Sequence, residues 1–144
     1  MVWKKKGMSD PLKYASLLMR YRPRSEREMR ERLSRKFSEE EVERTIETLK
    51  EKGILDDERF ALMMAKNELE VKFHGPRMIK SKLIKLGVSE DVIERALEKA
   101  MRDFDVRSKM EELRKKFEDF RKLREYLYRR GFDPEILENE SFDE

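Results

Sequence analysis

An apolar pair four residues apart recurs three times along this chain, and the same kinds of residue follow it each time. The three copies are Met29-x3-Leu33-x3-Phe37-Ser38, Ile79-x3-Leu83-x3-Gly87-Val88-Ser89 and Leu123-x3-Leu127-x3-Gly131-Phe132-Asp133. Because residues four apart lie on one face of a helix, each pair predicts a helix with one buried side. In each copy Ser38, Ser89 or Asp133 then supplies an oxygen that can cap the amides of the next helix. Recurrence at this interval predicts an array of repeats rather than one thick core.

A further stretch with helical apolar spacing precedes each pair, and no segment has the alternation typical of a strand. The predicted fold class is therefore all-α, with three tandem three-helix repeats that form an elongated, modular helical array. The predicted organisation is a basic N-terminal tail over residues 1–9, then repeats over 10–53, 54–102 and 103–144, the last ending in an acidic C-terminal tail. Both tails lack an apolar period, so we expect both to be mobile.

The residues that usually carry chemistry are scarce. There is no cysteine, and the single histidine, His74, is interpreted as a surface or capping residue at a helix junction. The acidic runs Asp56-Asp57 and Glu39-Glu40-Glu41 each open a helix, so we interpret them as caps rather than as metal ligands. No glycine-rich phosphate loop occurs in the sequence. We therefore predict a protein that is not an enzyme, with no catalytic residue, no metal site and no cofactor.

Basic residues recur at matching positions of the three second helices, counted from their predicted caps Ser25, Gly75 and Asp119. The positions two, five and ten residues after the cap are basic in every copy: Arg27, Arg30 and Arg35, then Arg77, Lys80 and Lys85, then Arg121, Arg124 and Arg129. At about 100° per residue these positions lie on an arc opposite the apolar pair. Each second helix is therefore predicted to have one positive solvent face, which we take as the candidate partner-binding surface.

Two interpretations of this positive face stay open. It is either the solvated side of a helix in a chain that is 47% charged, or a footprint for a polyanion or an acidic protein surface. Descent of the three copies from one ancestral repeat would produce the same alignment without any binding. Asn and Gln, which read adenine, number only two in the chain, so sequence-specific DNA recognition is not expected. Weak nonspecific contact with single-stranded DNA is compatible with the arginines.

The location of the protein is constrained by what its sequence lacks. No run approaches the roughly 18 apolar residues of a membrane span, and the basic start is not followed by an apolar stretch. The absence of cysteine gives no indication of an oxidising compartment. We therefore expect a cytoplasmic protein with no membrane contact, and we expect a monomer.

Three segments of the chain form a recognisable set: Arg22-Pro23-Arg24-Ser25-Glu26-Arg27-Glu28-Met29, Leu55-Asp56-Asp57-Glu58-Arg59-Phe60-Ala61, and Gly75-Pro76-Arg77-Met78-Ile79 followed by Leu83 and Leu86-Gly87-Val88. Together they closely resemble the RecX family of recombination regulators. The resemblance covers residues 10–140, although Lys36-Phe37 lacks the glycine usual before the aromatic residue in the first repeat. It implies a non-enzymatic protein that binds the filament of the RecA recombinase, lies along its helical groove, and lowers its ATPase and strand-exchange activity.

The leading hypothesis from the sequence is thus a regulator whose principal partner is RecA on single-stranded DNA, acting in DNA repair and the SOS response. An alternative is a helical protein that binds nucleic acid without specificity. A third is a scaffold that joins other proteins through its acidic and basic ends.

Overall fold

The structure, a computed structural model, describes residues 10–133 and 135–139, and within them it contains nine helices and no strand. In chain order the helices are α1 Pro11–Tyr21, α2 Glu26–Ser34, α3 Glu39–Glu51, α4 Asp57–Glu70, α5 Pro76–Lys85, α6 Glu90–Asp103, α7 Val106–Lys116, α8 Phe120–Arg129 and α9 Ile136–Asn139. The predicted all-α helical array is confirmed. The predicted basic tail at residues 1–9 and the acidic end from residue 140 lie outside the described residues.

Side-chain caps fix where most of these helices begin. Ser25 and Ser38 each form a capping box, in which the serine oxygen accepts from the third amide of the helix and a glutamate accepts from the serine amide. Asp133 accepts a hydrogen bond from the Glu135 amide at 3.0 Å. The prediction that Ser89 caps α6 with its side chain is wrong, because its hydroxyl donates instead to Asp91 Oδ1 at 2.9 Å.

The recurring apolar pairs lie in the core. All six residues are at most 1% exposed: Met29, Leu33, Ile79, Leu83, Leu123 and Leu127. In the first set of helices, α1 packs against α2 and α3, and in the second set α4 packs extensively along α6. The prediction that these six residues are buried is confirmed.

The buried side chains form two separate clusters. One cluster lies wholly within α1 to α3 and the segment that follows them, ending at Leu55. The other runs without interruption from Phe60 to Leu137 and includes the apolar pairs of both α5 and α8. The apolar pairs of the second and third units therefore share one core, whereas the pair of the first unit lies in a core of its own.

The shared core has a simple cause in the length of the last helix. Helix α9 has four residues, against thirteen in α3 and fourteen in α6, so it covers little of the third unit. An aromatic side chain of the second unit covers part of the third unit instead. The Phe73 ring centroid lies 4.5 Å from that of Phe132 and 6.3 Å from that of Tyr126. None of the described helices is long and apolar enough to cross a membrane.

Replacing Leu83 with Ala tests whether the recurring apolar pairs form the core. Leu83 is fully buried, so its truncation is expected to lower the free energy of unfolding by about 2–5 kcal/mol through lost burial and an unfilled cavity. The matched control is Ile84→Ala on the same helix, where the side chain is 49% exposed and the expected cost is within about 0.5 kcal/mol. Urea denaturation measures both, and equal losses in the two variants would contradict the assigned core.

Candidate functional site

The start of α2 meets the end of α5 across the boundary between the first two units. Ser25 Oγ donates to the Leu86 carbonyl at 2.6 Å, and Arg27 Nη2 donates to the Lys85 carbonyl. Both carbonyls belong to the last turn of α5, whose final carbonyl groups have no partner within the helix. We call this contact the first junction. It places the positive end of one helix dipole against the negative end of another.

The start of α5 meets the end of α8 in the same way. The Gly75 amide donates to the Arg130 carbonyl at 2.6 Å, and the Arg77 amide donates to the Gly131 carbonyl at 3.1 Å. Arg77 Nη2 also donates to the carbonyls of Tyr128 at 2.9 Å and Phe132 at 3.2 Å. We call this contact the second junction. The three second helices are thus joined in series, each one beginning where the next one ends.

Glycine is required at these junctions because the two backbone segments lie too close together for a side chain. A Cβ atom on Gly75 would lie 2.5 Å from the Gly131 carbonyl carbon, and one on Gly87 would lie 2.6 Å from Arg27 Cβ. Gly87 and Gly131 also have positive φ angles of 86° and 97°, the left-handed conformation that ends a helix. Steric contact and backbone conformation therefore both select glycine at the ends of α5 and α8.

The end of α2 differs from these two because no earlier unit packs on it among the described residues. The amide of Phe37 donates to the Leu33 carbonyl four residues back, whereas Val88 and Phe132 donate to carbonyls five residues back, as in a Schellman motif. The Phe37 ring packs instead 6.0 Å from the Tyr14 ring in the first core. The missing glycine noted in the sequence therefore coincides with the one second-helix end that forms no junction.

In the first two units, the basic residue five positions after the cap forms ion pairs within its own unit. Arg30 pairs with Glu43 of α3 and, at 3.1 Å, with Glu26. Lys80 pairs with Glu94 of α6 at 3.2 Å and with Glu90. Glu43 and Glu94 each lie five residues after the serine that begins their helix, so the ion pair repeats from unit to unit. The side-chain hydrogen bonds that Lys80 donates to Glu94 and Glu90 raise the pKa of Lys80 above its ordinary value.

The basic positions ten residues after the cap are arranged differently. Arg35, Lys85 and Arg129 are exposed, and none of them forms an ion pair within residues 10–133 and 135–139. Each junction brings one of them close to a basic residue of the preceding unit, since Arg27 bonds the Lys85 carbonyl and Arg77 bonds the carbonyl next to Arg129. Arg121 is exposed at the start of α8, and Arg124 is half-buried.

Sequence reasoning missed one feature of this surface, the exposed aromatic ring of Tyr128. The residue is 58% exposed, and the Arg77 guanidinium carbon lies 4.3 Å from its ring centroid. Tyr128 stands nine residues after the cap Asp119, between the core position at eight and the basic position at ten. The helical periodicity could have indicated this exposure, because a position outside the apolar pair is predicted to face solvent.

The second missed feature is a buried carboxylate in α4. Glu68 is 3% exposed and is surrounded by His74 Nδ1 at 2.6 Å, Lys82 Nζ at 2.8 Å and Lys72 Nζ at 3.1 Å. Because an ionised carboxylate only accepts hydrogen bonds, the His74 Nδ1 atom carries the proton in this contact. His74 caps the end of α4 as the sequence predicts, since its amide donates to the Glu68 carbonyl at 2.8 Å, but its side chain is only 19% exposed and also holds the Glu68 carboxylate.

The environment of Glu68 stabilises its charged form. Burial by itself raises the pKa of the carboxyl, but hydrogen bonds from Lys82, His74 and Lys72 together outweigh burial and lower the pKa from 4.5 to about 2. The cluster ties the end of α4 to α5 and so fixes the turn that contains Phe73. Arg130 of the third unit donates to the carbonyls of Phe73 and Lys72 in that turn. The cluster therefore supports the second junction.

No cluster of three or more side chains able to hold a metal ion occurs in the part of the chain that the structure describes. The junctions, the ion pairs and the exposed cations on α2, α5 and α8 together offer a surface for binding. The fold and this surface define a helical-repeat protein built from three-helix units.

Comparison with known proteins identifies the family. A family model described as the first three-helix domain of RecX matches residues 14–49, and one described as the second three-helix domain matches residues 56–97. Proteins named regulatory protein RecX from Thermotoga petrophila and Thermotoga maritima are each 47% identical over 145 residues, covering 94% of this chain and 90% of the relative. The chain therefore belongs to the RecX family of regulatory proteins.

Solved structures agree with the fold. The crystal structure of RecX from Lactobacillus salivarius superposes with a TM-score of 0.76 at 21% identity, covering 93% of this chain and 94% of that one. A second crystal structure of a regulatory protein RecX gives a TM-score of 0.62, with 92% of this chain and 72% of that one covered. The two family models end at residue 97, so a third repeat of the same kind remains a prediction.

Acid titration tests the Glu68 cluster. The folded pKa is lower than the unfolded one, so the stabilisation is complete above about pH 4.5 and is lost as the pH falls towards 2. A shift of this size corresponds to about 3 kcal/mol. Between pH 5 and pH 2 the wild type is expected to lose about that much more unfolding free energy than Glu68→Gln, measured by urea denaturation. Parallel pH profiles for the two proteins would refute the ionised cluster.

Proposed function

We propose that this protein binds the filament that the RecA recombinase forms on single-stranded DNA, lies along its groove, and lowers its ATP hydrolysis and strand exchange. Membership of the RecX family supports a regulatory role, since the relatives are named regulatory proteins. Acting in this way, the protein modulates DNA repair and the SOS response. The proposal includes a monomeric, cytoplasmic protein with no catalytic activity of its own.

One observation carries the proposal: the exposed cations Arg35, Lys85 and Arg129 recur at the same position of second helices that are joined in series. Each of these helices is about 15 Å long at 1.5 Å per residue. A filament presents the same groups again and again along its axis. A regular series of cations on a jointed array is complementary to such a periodic partner and has no corresponding use for a single small ligand.

We propose that all nine aligned basic residues contact the partner, although some of them also have structural roles. Arg27 and Arg77 also hold the junctions, and Arg30 and Lys80 also pair with glutamates of α3 and α6. Their exposed surface adds to the positive face while their charged groups stabilise the array. The position ten residues after the cap, together with Arg121, supplies cations that remain available to a partner.

The alternative, nonspecific binding of nucleic acid, is favoured by a separate observation. Tyr128 is exposed beside Arg121 and Arg129, and single-stranded nucleic acid is bound by aromatic rings set among cations. The two functions are separated by including or omitting the recombinase in an assay.

The decisive assay measures DNA-dependent ATP hydrolysis by RecA with increasing amounts of the protein. Wild type is expected to reduce hydrolysis at stoichiometric ratios. The triple variant Arg35→Glu, Lys85→Glu, Arg129→Glu is expected to require about tenfold more protein, because three surface pairs at about 0.5 kcal/mol each give about 1.5 kcal/mol. Unchanged hydrolysis at an excess of wild type would overturn the proposal.

A charge-matched control separates position from net charge. The control variant Lys13→Glu, Arg102→Glu, Lys115→Glu changes one exposed cation in each unit, on α1, α6 and α7. It is expected to inhibit like the wild type. Loss of inhibition in the control alone would place the partner surface on the first and third helices and remove the second helices from it.

A further inference from the structure

An aromatic ring and three arginines form a shallow depression on one face of α8. Its lining consists of Tyr128, Arg121, Arg124, Glu125 and Arg129. Tyr128 is 58% exposed, although a ring of this size is usually largely buried. The exposed Arg121 and Arg129 outnumber the single carboxylate of Glu125, so these three side chains give the depression a positive charge. The site therefore offers a planar apolar surface next to cations.

The ring is held in place from the neighbouring unit. The Arg77 guanidinium carbon lies 4.3 Å from the ring centroid, and Arg77 Nη2 donates to the carbonyls of Tyr128 and Phe132. Two carbonyls fix the guanidinium, and the guanidinium covers part of the ring. Arg77 is not among the residues that line the depression, so it supports the ring from outside the depression. Such prior ordering lowers the entropic cost of binding.

Among the three second helices, this arrangement occurs only in α8. The residues at the equivalent position, nine after the cap, are Ser34 in α2 and Ile84 in α5. Neither side chain has an aromatic face. A ligand that needs only positive charge would bind along all three second helices, whereas a ligand that also needs stacking would bind at α8 alone.

We propose that the depression binds single-stranded nucleic acid, with one base stacked on Tyr128 and the adjoining phosphates on Arg121 and Arg129. A single strand has unpaired bases with open faces and a phosphate at every nucleotide, which matches an exposed ring among arginines. A duplex presents only its backbone and groove edges. An acidic peptide matches the arginines and leaves the ring unused. The site rests on the alternative function given above, for which it supplies a location and a binding mode, and it does not depend on contact with RecA.

The test compares two strands of the same length that differ only in their bases. Binding to a labelled strand of about 20 thymidines and to an abasic strand of equal length is measured by fluorescence anisotropy, without recombinase. Wild type is expected to bind the thymidine strand at least about fivefold more tightly, since stacking of one base adds about 1 kcal/mol or more. Tyr128→Ala is expected to bind both strands equally, and Tyr128→Trp is expected to keep the preference.

Two further variants complete the experiment. Tyr21→Ala removes a tyrosine that is 87% exposed on α1 and is expected to keep the full preference for thymidine. Arg129→Glu is expected to weaken binding to both strands and to reduce the dependence of affinity on salt. An equal preference in wild type and Tyr128→Ala, with unchanged circular dichroism, would overturn the stacking site. Competition by polyglutamate as effective as that by the thymidine strand would assign the depression to an acidic protein.

Discussion

The carbonyl groups at the end of a helix need hydrogen-bond donors, and in this protein the preceding unit supplies them. Ser25 and Arg27 donate to the end of α5, and Gly75 and Arg77 donate to the end of α8. These bonds bring the backbone at the start of one helix close to the backbone at the end of another, and glycine is required where the two segments touch. The same bonds connect three small units, none of which has the size to bury a large core alone.

The junctions explain why a charge-rich surface contains residues with different tasks. In the first two units, the basic residue two positions after the cap, Arg27 or Arg77, donates to a carbonyl of the neighbouring unit. The basic residue five positions after the cap, Arg30 or Lys80, pairs with a glutamate of the third helix. The tenth position has neither interaction within the described residues, which leaves Arg35, Lys85 and Arg129 as aligned cations available to a partner. The proposed regulatory function depends on this distinction.

Local features of the fold were predictable from the sequence, and distant ones were not. The apolar pairs, most caps and the helix order follow from spacings of a few residues, and the structure contains them. The junction roles of Arg27 and Arg77 depend on carbonyls more than fifty residues away. The burial of His74 beside Glu68 and the core shared across Phe73 likewise arise from packing that no local pattern records.

The most direct test of the junction account measures a distance between α5 and α8. The chain has no cysteine, so spin labels attach only to cysteines introduced at the exposed Ser81 and Lys122. Gly75 has a φ of −87°, which alanine adopts without strain, so Gly75→Ala acts only through the contact with Gly131. We predict one narrow distance distribution in the parent and in Gly53→Ala, which strains a φ of 73° locally but places no atom within 4 Å of the added Cβ. In Gly75→Ala the distribution should shift or broaden, and an unchanged distribution would contradict the account.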